Sequence, residues 1–510
     1  MSKCNETVRE LLEDRVSKFA EKIFLFSEID GREWTYREFD EAVNRTANML
    51  LENSVKKGDV VSLLLPNSAE YIIAYFACFK MGAIAGPVNS LLKPEEIEWV
   101  IGNSESKLML IGSDWNASAV VSAENPSLPI ITFDNVEKAT KDHSKILDDI
   151  EVDADDEAII IYTSGTTGKP KGCLLTHSNL VANARQITEW LGFNENDRLL
   201  TVMPLFHMNA VSVTTMTALY AGGSTVVSAK FSSSRFWNIT AKYQITSFGS
   251  VATMLSMLLG NSSDFKDSSS ELNPQSKSLR FAMCGSAPVP AEVLKRFEET
   301  FNCLVIEGYG LSESTCRSTF NPPNEDRRPG SCGMPIGNEM CIFDESDHEV
   351  PDGELGEIVM RGPNIFKEYY KNPDATAKAF ASGWFHTGDI GYRDADGFFY
   401  IADRKSDMII RGGENIYPRE IDELLYTHPS VESAAVIGVP DDLYGEEVAA
   451  FIVLKDGGHV TEEALIAFCK ERLADFKCPK KIHFVNDIPK GPTGKLLKRE
   501  LAKILFVSRT

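Results

Sequence analysis

The chain has 510 residues, of which 43% are hydrophobic and 25% are charged, and its formal net charge at pH 7 is −22. This length exceeds what a single hydrophobic core supports, and it predicts roughly two to four domains. Such an acidic chain is poorly suited to nucleic acid or an anionic membrane as its main partner, and an anionic substrate would need a local positive site.

The ten cysteines show no repeated C-x-x-C spacing, which argues against a disulfide framework or a zinc site and indicates reduced thiols. The N-terminal residues are charged and amphipathic, without the apolar core of a signal peptide. Residues 199–229 contain no Asp, Glu, Lys or Arg, but Pro204, Gly222 and Gly223 interrupt them. A buried helix and strand is therefore expected there rather than a transmembrane segment, and the predicted location is cytoplasmic.

The first 150 residues alternate between helix and strand patterns. Residues 8–19 and 36–51 carry apolar side chains at helical spacing, and Thr35 is a candidate N-cap for the second helix. Residues 60–65 read VVSLLL, typical of a buried strand, and residues 69–81 form an apolar helix pattern. Strands separated by helices predict parallel α/β layers.

A glycine-rich stretch, YTSGTTGKPKG, occupies residues 162–172 directly after the apolar run at residues 158–161. Its glycines permit close approach of a ligand, and its hydroxyls, backbone N–H groups and lysines suit a polyphosphate. A Walker-type P-loop is excluded, because only two residues separate Gly165 from Gly168 and a proline follows Lys169.

Three later stretches contain further candidate site residues. In PLFHMNA (204–210), His207 is by residue type more often a hydrogen-bonded core side chain than a functional one. The strand at 281–284 ends in GSAP, where small side chains let a flat ring approach the backbone. In EGYGLSE (307–313), Tyr309 offers a face for stacking, and Glu313 offers a carboxylate oxygen of the kind that binds magnesium.

Toward the end of the chain, Asp389 follows a Thr-Gly turn, where an aspartate either caps the turn or binds ribose hydroxyls. Residues 403–422 read DRKSDMIIRGGENIYPREID, and a small α/β pattern begins within this stretch, at about residue 406. Lys495 ends the sequence PTGK; it is either one of several exposed lysines or a functional one.

Together these motifs resemble the AMP-forming adenylating superfamily of acyl-CoA synthetases, adenylation domains and beetle luciferases, and the matches cover nearly the whole chain. The resemblance implies an α/β fold. Residues 1–405 would form a large N-terminal AMP-binding domain of layered α/β subdomains. Residues 406–510 would form a small mobile C-terminal α+β lid that carries the catalytic lysine.

The resemblance also implies roles for individual residues. Lys495, Glu313 and Ser312 would be catalytic, with Glu313 as the Mg²⁺ ligand. ATP would contact Thr163, Ser164, Gly165, Thr166, Thr167, Gly168, Lys169, Lys171, Gly285, Ser286, Ala287, Glu307, Gly308, Tyr309, Gly310, Ser312, Asp389, Arg404 and Lys495. The acyl pocket would contain His207, Met208, Trp237, Val251, Met254 and Gly310, and coenzyme A would approach Arg411, Gly412 and Gly413.

Two positions depart from the family pattern. Ser312 stands where the family usually has threonine, which keeps a hydroxyl. Ser406 stands at the hinge position, where the family commonly has aspartate or lysine, so the electrostatic control of the hinge is open.

The expected function is ATP-dependent ligation of a carboxylic acid to the thiol of coenzyme A, through an acyl-adenylate and with pyrophosphate release. The motif details are most similar to bacterial fatty-acyl-CoA synthetases, which predicts a medium- or long-chain fatty acid. A crotonobetaine/carnitine-type ligase, an adenylation enzyme that loads a carrier protein, and a non-catalytic nucleotide-binding regulator are the alternatives. The expected partners are the acid, ATP, Mg²⁺ and coenzyme A, and a homodimer is left open.

Overall fold

A computed structural model describes residues 5–115, 128–163, 170–261, 278–285, 289, 291–441, 443–490, 496–498 and 500–501. Its strands are β1 (Ile23–Ser27), β2 (Glu33–Thr35), β3 (Val60–Leu64), β4 (Ile84–Pro87), β5 (Leu108–Ile111), β6 (Ile130–Thr132), β7 (Glu157–Thr163), β8 (Lys171–Thr176), β9 (Arg198–Thr201), β10 (Ser224–Val227), β11 (Ser247–Ser250), β12 (Phe281–Cys284), β13 (Leu304–Glu307), β14 (Thr319–Phe320), β15 (Met334–Pro335), β16 (Glu339–Phe343), β17 (Gly356–Arg361), β18 (Glu368–Tyr369), β19 (Phe385–Arg393), β20 (Phe399–Arg404), β21 (Ile409–Arg411), β22 (Glu414–Ile416), β23 (Val431–Asp441), β24 (Gly445–Leu454) and β25 (Lys481–Phe484).

The helices within these described ranges are α1 (Val8–Phe19), α2 (Tyr36–Glu52), α3 (Ala69–Met81), α4 (Pro94–Asn103), α5 (Val136–Ala139), α6 (His177–Leu191), α7 (Thr217–Ala221), α8 (Ser233–Tyr243), α9 (Ala252–Gly260), α10 (Ala291–Phe301), α11 (Pro373–Ala379), α12 (Pro418–Tyr426) and α13 (Glu462–Lys470). A π-helix (Asn209–Met216) runs directly into α7.

Two seven-stranded sheets form the large part of the molecule. The first has the order β13-β12-β11-β9-β10-β1-β2, and the second has the order β18-β8-β7-β4-β3-β5-β6. Neighbouring strands are parallel except for the β1–β2, β7–β8 and β8–β18 pairs. The predicted parallel α/β layers are confirmed. The antiparallel β7–β8 hairpin, which carries the glycine-rich stretch at its turn, was not predicted.

The predicted helices and strands of the first 81 residues are present, within a residue of their expected ends. Thr7 and Thr35 cap α1 and α2 with reciprocal capping boxes, in which the N3 glutamate accepts from the cap backbone. Every residue of α3 is buried, which explains why its sequence is apolar on all sides. Gly82 ends α3 with a φ of 71°, a conformation that favours glycine.

The chain from residue 409 onward builds a separate small unit. Its strands order as β22-β21-β24-β23, with β25 paired to β24, and its core packs around residues such as Ile421, Val436 and Leu465. A further antiparallel sheet, β16-β17-β19-β20, joins this unit to the two large sheets. The layered α/β fold with a smaller C-terminal α+β region is therefore confirmed, while the boundary at residue 405 and the mobility of the small unit stay predictions.

The uncharged stretch at residues 199–229 folds as β9, the π-helix, α7 and β10, as expected for buried helix and strand. Across the residues that the structure describes, no helix is both long and apolar enough to cross a lipid bilayer.

Candidate active site

A large cavity lies along one edge of the first sheet. Because β9, β11, β12 and β13 are parallel, their carboxyl ends meet at this edge, as in other open α/β sheets that bind ligands there. The cavity has a volume of about 1270 Å³. Residues that follow these strands line it, including Met203, Val251, Gly285 and Gly308.

Tyr309, Asp389 and Arg404 meet in this cavity. The Tyr309 hydroxyl donates a hydrogen bond to Oδ2 of Asp389, and Nε of Arg404 lies 3.3 Å from Oδ1 of the same carboxylate. Asp389 and Arg404 are register partners on β19 and β20, so the sheet fixes their separation. Burial and the Asp389 carboxylate raise the pKa of Tyr309 far above its usual value, so its hydroxyl keeps its proton. The trio offers a flat ring and a carboxylate, which suit adenine and ribose hydroxyls.

Glu307 lines the same cavity at the end of β13. Its Oε2 accepts a hydrogen bond of 3.0 Å from the backbone N–H of Gly330. Burial raises the pKa of this carboxyl to about 7, because the single backbone bond and distant arginines do not offset its lost hydration. Glu307 therefore titrates near neutral pH beside the Gly308–Gly310 backbone.

Glu313 lies in the short 3₁₀ helix Ser312–Ser314 and is buried. Its Oε1 accepts a hydrogen bond of 2.9 Å from the Tyr369 hydroxyl, and burial raises the pKa of its carboxyl. Lys171 Nζ lies 5.0 Å from the centre of the Tyr369 ring. Tyr369 thus connects the base of the glycine-rich hairpin to the predicted metal ligand, a link that no sequence motif indicated.

The glycine-rich stretch is described only at its two ends. Thr163 and Lys171 are register partners at the turn end of the β7–β8 hairpin. Residues Ser164, Gly165, Thr166, Thr167, Gly168 and Lys169 lie outside the described residues, as do Ser286, Ala287 and Lys495. The predicted contacts of these nine residues with ATP stay predictions.

The predicted acyl pocket is only partly assembled at the cavity. Val251, Met254 and Gly310 are among its walls. His207, Met208 and Trp237 are not among the described residues that line it. Met208 is buried in the main core, and Trp237 packs edge-on against Phe236 at a centroid distance of 5.1 Å. Their predicted place in the acyl pocket stays a prediction.

His207 lies next to Phe206, which does line the cavity, with ring centroids 4.6 Å apart. Its Nε2 is buried and has no hydrogen-bond partner. Burial lowers the pKa of this imidazole to about 4, so the ring is neutral at physiological pH. Nε2 of His207 is therefore a polar atom without a hydrogen bond, next to a residue of the cavity wall.

The C-terminal unit closes one side of the cavity. Lys490 and Leu496, which flank residues 491–495, line the cavity and pair with each other through an isolated antiparallel bridge. Lys498 and Asp422 also line it and form a partly buried ion pair of 2.9 Å. Burial raises the pKa of the Asp422 carboxyl to about 6. Asp422 ends the quoted stretch 403–422, but the sequence analysis assigned a role to neither residue.

The predicted coenzyme A residues lie elsewhere in this arrangement. Arg411, Gly412 and Gly413 are not among the described residues that line the cavity. The Arg411 guanidinium pairs with Glu447 at 2.6 Å, and Gly412 and Gly413 occupy the left-handed backbone region of the β21–β22 turn. Ser406 donates a hydrogen bond to Asp407 in an exposed turn after β20, which agrees with a junction between the two units.

Arg317 was missed by the sequence analysis, since a single arginine four residues after Glu313 matches no pattern. It is 1% exposed, and its Nε and Nη2 atoms make no hydrogen bond. A side chain at Gly285, which lines the cavity, would lie 2.7 Å from Nη2 of Arg317. The guanidinium is therefore directly behind the cavity wall.

Within the described residues, no three histidine, cysteine, aspartate or glutamate side chains are grouped as a metal site. A lone carboxylate such as Glu313 agrees with a magnesium ion held largely by nucleotide phosphates and water, which needs only one or two protein carboxylates.

Comparison with known proteins defines the class. Residues 12–370 match the family model "AMP-binding enzyme", and residues 420–495 match its C-terminal domain. The chain is 35% identical to an oxalate–CoA ligase of Arabidopsis thaliana, with 98% of each chain covered, and 35% identical to a sulfoacetate–CoA ligase of Cupriavidus necator, with 97% of each covered. The crystal structure of ATP-bound MatB from Rhodopseudomonas palustris superposes with a TM-score of 0.89 at 30% identity, covering 98% of this chain and 99% of that one.

The fold and the matched models thus define an adenylating enzyme. The chain belongs to the AMP-binding enzyme family, and it is an AMP-forming acid–CoA ligase. ATP and coenzyme A are accordingly its co-substrates, and a small-molecule carboxylic acid is its third substrate.

Proposed function

We propose that this one cavity performs both half-reactions of acid–CoA ligation, with the roles divided between the two units. The observation that carries this proposal is the composition of the cavity wall. Tyr309, Asp389 and Arg404 line it from the large part of the molecule, and Lys490 and Leu496, on either side of the segment that contains Lys495, line it from the small unit.

In the first half-reaction an oxygen of the acid carboxylate bonds to the α-phosphorus of ATP, and the bond from that phosphorus to pyrophosphate breaks. Negative charge accumulates on both departing and attacking oxygens, so catalysis is mainly positioning and charge stabilisation. Lys495 supplies a positive charge between the carboxylate and the α-phosphate. Asp389 holds the ribose, and Tyr309 and the backbone at Gly308–Gly310 hold the adenine.

Glu313 would hold a magnesium ion. The buried carboxylate has one hydroxyl donor and no lysine or arginine within 4.0 Å among the described residues, so it is available to a cation. When bound, the ion would neutralise phosphate oxygens of ATP. Ser312 keeps a hydroxyl beside it, and the hairpin from Thr163 to Lys171 would hold the β- and γ-phosphates.

In the second half-reaction the thiol of coenzyme A attacks the acyl carbon, and the acyl–phosphate bond breaks to release AMP. We assign the approach to Arg411, Gly412 and Gly413 after the small unit turns about Ser406. The described arrangement supports this division, because the residues beside Lys495 line the cavity while Arg411–Gly413 do not. A conformational step between the half-reactions follows from it.

The fatty-acid prediction has one supporting feature. Phe231, Met254 and Met257 line the cavity, and Leu91 and Met257 are largely exposed at its wall, which suits an extended apolar chain. One feature opposes it: an apolar chain leaves the Arg317 guanidinium unpaired. The related ligases are named for oxalate and sulfoacetate, which are small acids with a second acidic group. This similarity also opposes the fatty-acid prediction.

The test is pyrophosphate release from ATP and Mg²⁺ with a panel of acids, each assayed with and without coenzyme A. We expect release with one acid class, coupled to consumption of the thiol. Release that ignores coenzyme A, with acyl-adenylate accumulating, would favour loading of a carrier protein. ATP binding without release from any acid, carnitine and crotonobetaine included, would favour a nucleotide-binding regulator and contradict the proposal.

A further inference from the structure

The cavity wall conceals a cluster of buried polar atoms that have no partner. They are Nε and Nη2 of Arg317, both side-chain polar atoms of Asn209, and Nε2 of His207. Arg317 is 1% exposed and Asn209 is 5% exposed. A buried polar atom that makes no hydrogen bond costs about 1–3 kcal/mol, and an unpaired buried charge costs more. Five such atoms together indicate a site that a ligand completes.

The fold places Asn209 and Arg317 behind neighbouring strands of the first sheet. Oδ1 of Asn209 would lie 2.5 Å from a side chain at Gly249 on β11, and Nη2 of Arg317 would lie 2.7 Å from one at Gly285, just after β12. These strands are neighbours, paired Ser250 to Cys284, and Gly285 is a wall of the cavity. These side chains therefore lie behind the carboxyl ends of two adjacent strands, next to the residues proposed to bind adenine.

The backbone of Arg317 is held firmly while its guanidinium is not. Asn183 donates to the Arg317 carbonyl at 2.6 Å and also accepts from Ser212, which lies on the π-helix that begins at Asn209. The guanidinium itself has one long hydrogen bond, 3.4 Å from Nη1 to the Cys316 carbonyl. No carboxylate of the described residues pairs with it within 4.0 Å. The protein thus fixes the base of this side chain and leaves its charged end without a counter-ion.

We propose that Arg317, assisted by Asn209, binds a second acidic group of the substrate, so that the acid is a short dicarboxylate or sulfonate-bearing carboxylate. This assignment rests on the proposed ligase function and names its substrate class. A guanidinium fork matches two oxygens of a carboxylate or sulfonate, and the Asn209 amide and the neutral His207 ring add donors. A side chain at Gly285 would lie 2.7 Å from Nη2 of Arg317 and one at Gly310 would lie 2.9 Å from its Cα, so Arg317 lies directly behind this part of the cavity wall.

The experiment compares acids of equal length with and without the second acidic group: succinate with butyrate, glutarate with valerate, and sulfoacetate with propionate, plus octanoate and palmitate. Wild-type kcat/KM, measured by pyrophosphate release, is expected to favour the diacids by at least about 100-fold. Arg317→Met is expected to remove this preference, so that the ratio of kcat/KM for diacid to that for monoacid falls to about one. Arg317→Lys, which keeps the charge and loses the fork, is expected to be intermediate.

Stability separates binding from a structural role. Replacing an unpaired buried charge with an apolar side chain of similar volume is expected to leave the thermal midpoint of Arg317→Met unchanged or raised. Arg361→Met is the matched control, because Arg361 pairs with Glu339 on the surface at 2.5 Å and stacks on Trp384. Its diacid preference should equal that of the wild type.

Two results overturn the assignment. The first is a wild-type preference for monoacids over matched diacids. The second is an Arg317→Met or, if that variant does not fold, Arg317→Lys enzyme whose diacid-to-monoacid ratio equals that of the wild type. If the proposed ligase function is wrong, no acid causes pyrophosphate release, although ATP still raises the thermal midpoint. That result would also contradict the assignment of Arg317.

Discussion

The hydroxyl of Tyr309 donates a hydrogen bond of 2.5 Å to the carboxylate of Asp389, across 80 residues of sequence. The same carboxylate lies 3.3 Å from the Arg404 guanidinium, so one acidic group is held from two sides. The hydrogen bond also fixes the orientation of the tyrosine ring. The proposed contacts of Tyr309 with adenine and of Asp389 with ribose are therefore expected to depend on each other.

Removal of this hydroxyl should weaken ATP binding. In Tyr309→Phe, Asp389 loses a donor to a charged group, which is worth about 1.5–3 kcal/mol, and we expect the KM for ATP to rise roughly tenfold or more. The KM for the acid should stay unchanged. Tyr392→Phe is the control, because Tyr392 stacks on Tyr400 at 4.8 Å and is not among the described residues of the cavity wall. An unaltered KM for ATP in Tyr309→Phe contradicts the coupling.

Sequence patterns predicted local structure well where the signal was local. The Thr35 cap, the apolar helix at residues 69–81 and the parallel layers follow from spacing and capping chemistry that a short window contains. The motif resemblance also brought Tyr309, Asp389 and Arg404 to one list, and these residues do meet. What it could not give was the bond between them.

Contacts made by unremarkable residues were not predictable. Tyr369 reaches Glu313 across 56 residues, and the Asp422–Lys498 pair spans 76 residues. Arg317 resembles any other arginine until its burial is known. Trp237 packs edge-on against Phe236, a contact that the residue type alone does not indicate. Burial and charge pairing are properties of the folded chain. A sequence motif indicates them only where the chemistry of the site requires particular residues.

Lys495 should act in only one half-reaction. We expect Lys495→Ala to reduce pyrophosphate release by at least about 100-fold, because a charge-stabilising group is lost from the adenylation transition state. Thioester formation from supplied acyl-adenylate and coenzyme A should remain within about twofold of wild type, since the phosphate has already been transferred. Lys481→Ala, on the exposed face of β25, is the control. Equal loss in both half-reactions would sink this division of roles.

Glu313 should set the magnesium requirement. In Glu313→Gln the carboxylate charge is lost while the side-chain volume and a partner for Tyr369 are kept. We expect the half-saturating Mg²⁺ concentration in the pyrophosphate assay to rise about tenfold, because a neutral amide oxygen is a weaker ligand for a hard cation. Glu345→Gln, at an exposed turn, should leave the titration unchanged. A magnesium titration of Glu313→Gln that overlays the wild-type curve would place the ion elsewhere.

His177 should make the stability of the fold depend on pH. This first residue of α6 is fully buried, its Nδ1 accepts from the backbone N–H of Val8 at 3.4 Å, and burial lowers its pKa from 6.5 to about 4. Between these values the unfolded chain binds a proton that the folded chain refuses, so stability is complete above pH 6.5 and declines as the pH falls toward 4. At pH 5 the loss of folding stability from this group is about 2 kcal/mol.

The measurement is urea unfolding of the wild type and of His177→Asn at pH 7.5 and at pH 5. The contribution of His177 is the difference between the pH effects in the two proteins. His348→Asn, at an exposed position, is the control. Glu307 and Asp422 have raised pKa values, so they make the fold more stable as the pH falls. The contribution of His177 is therefore measured only by comparing the pH effect in the wild type with that in His177→Asn. An equal pH effect in the two proteins would show that His177 does not cause the loss of stability.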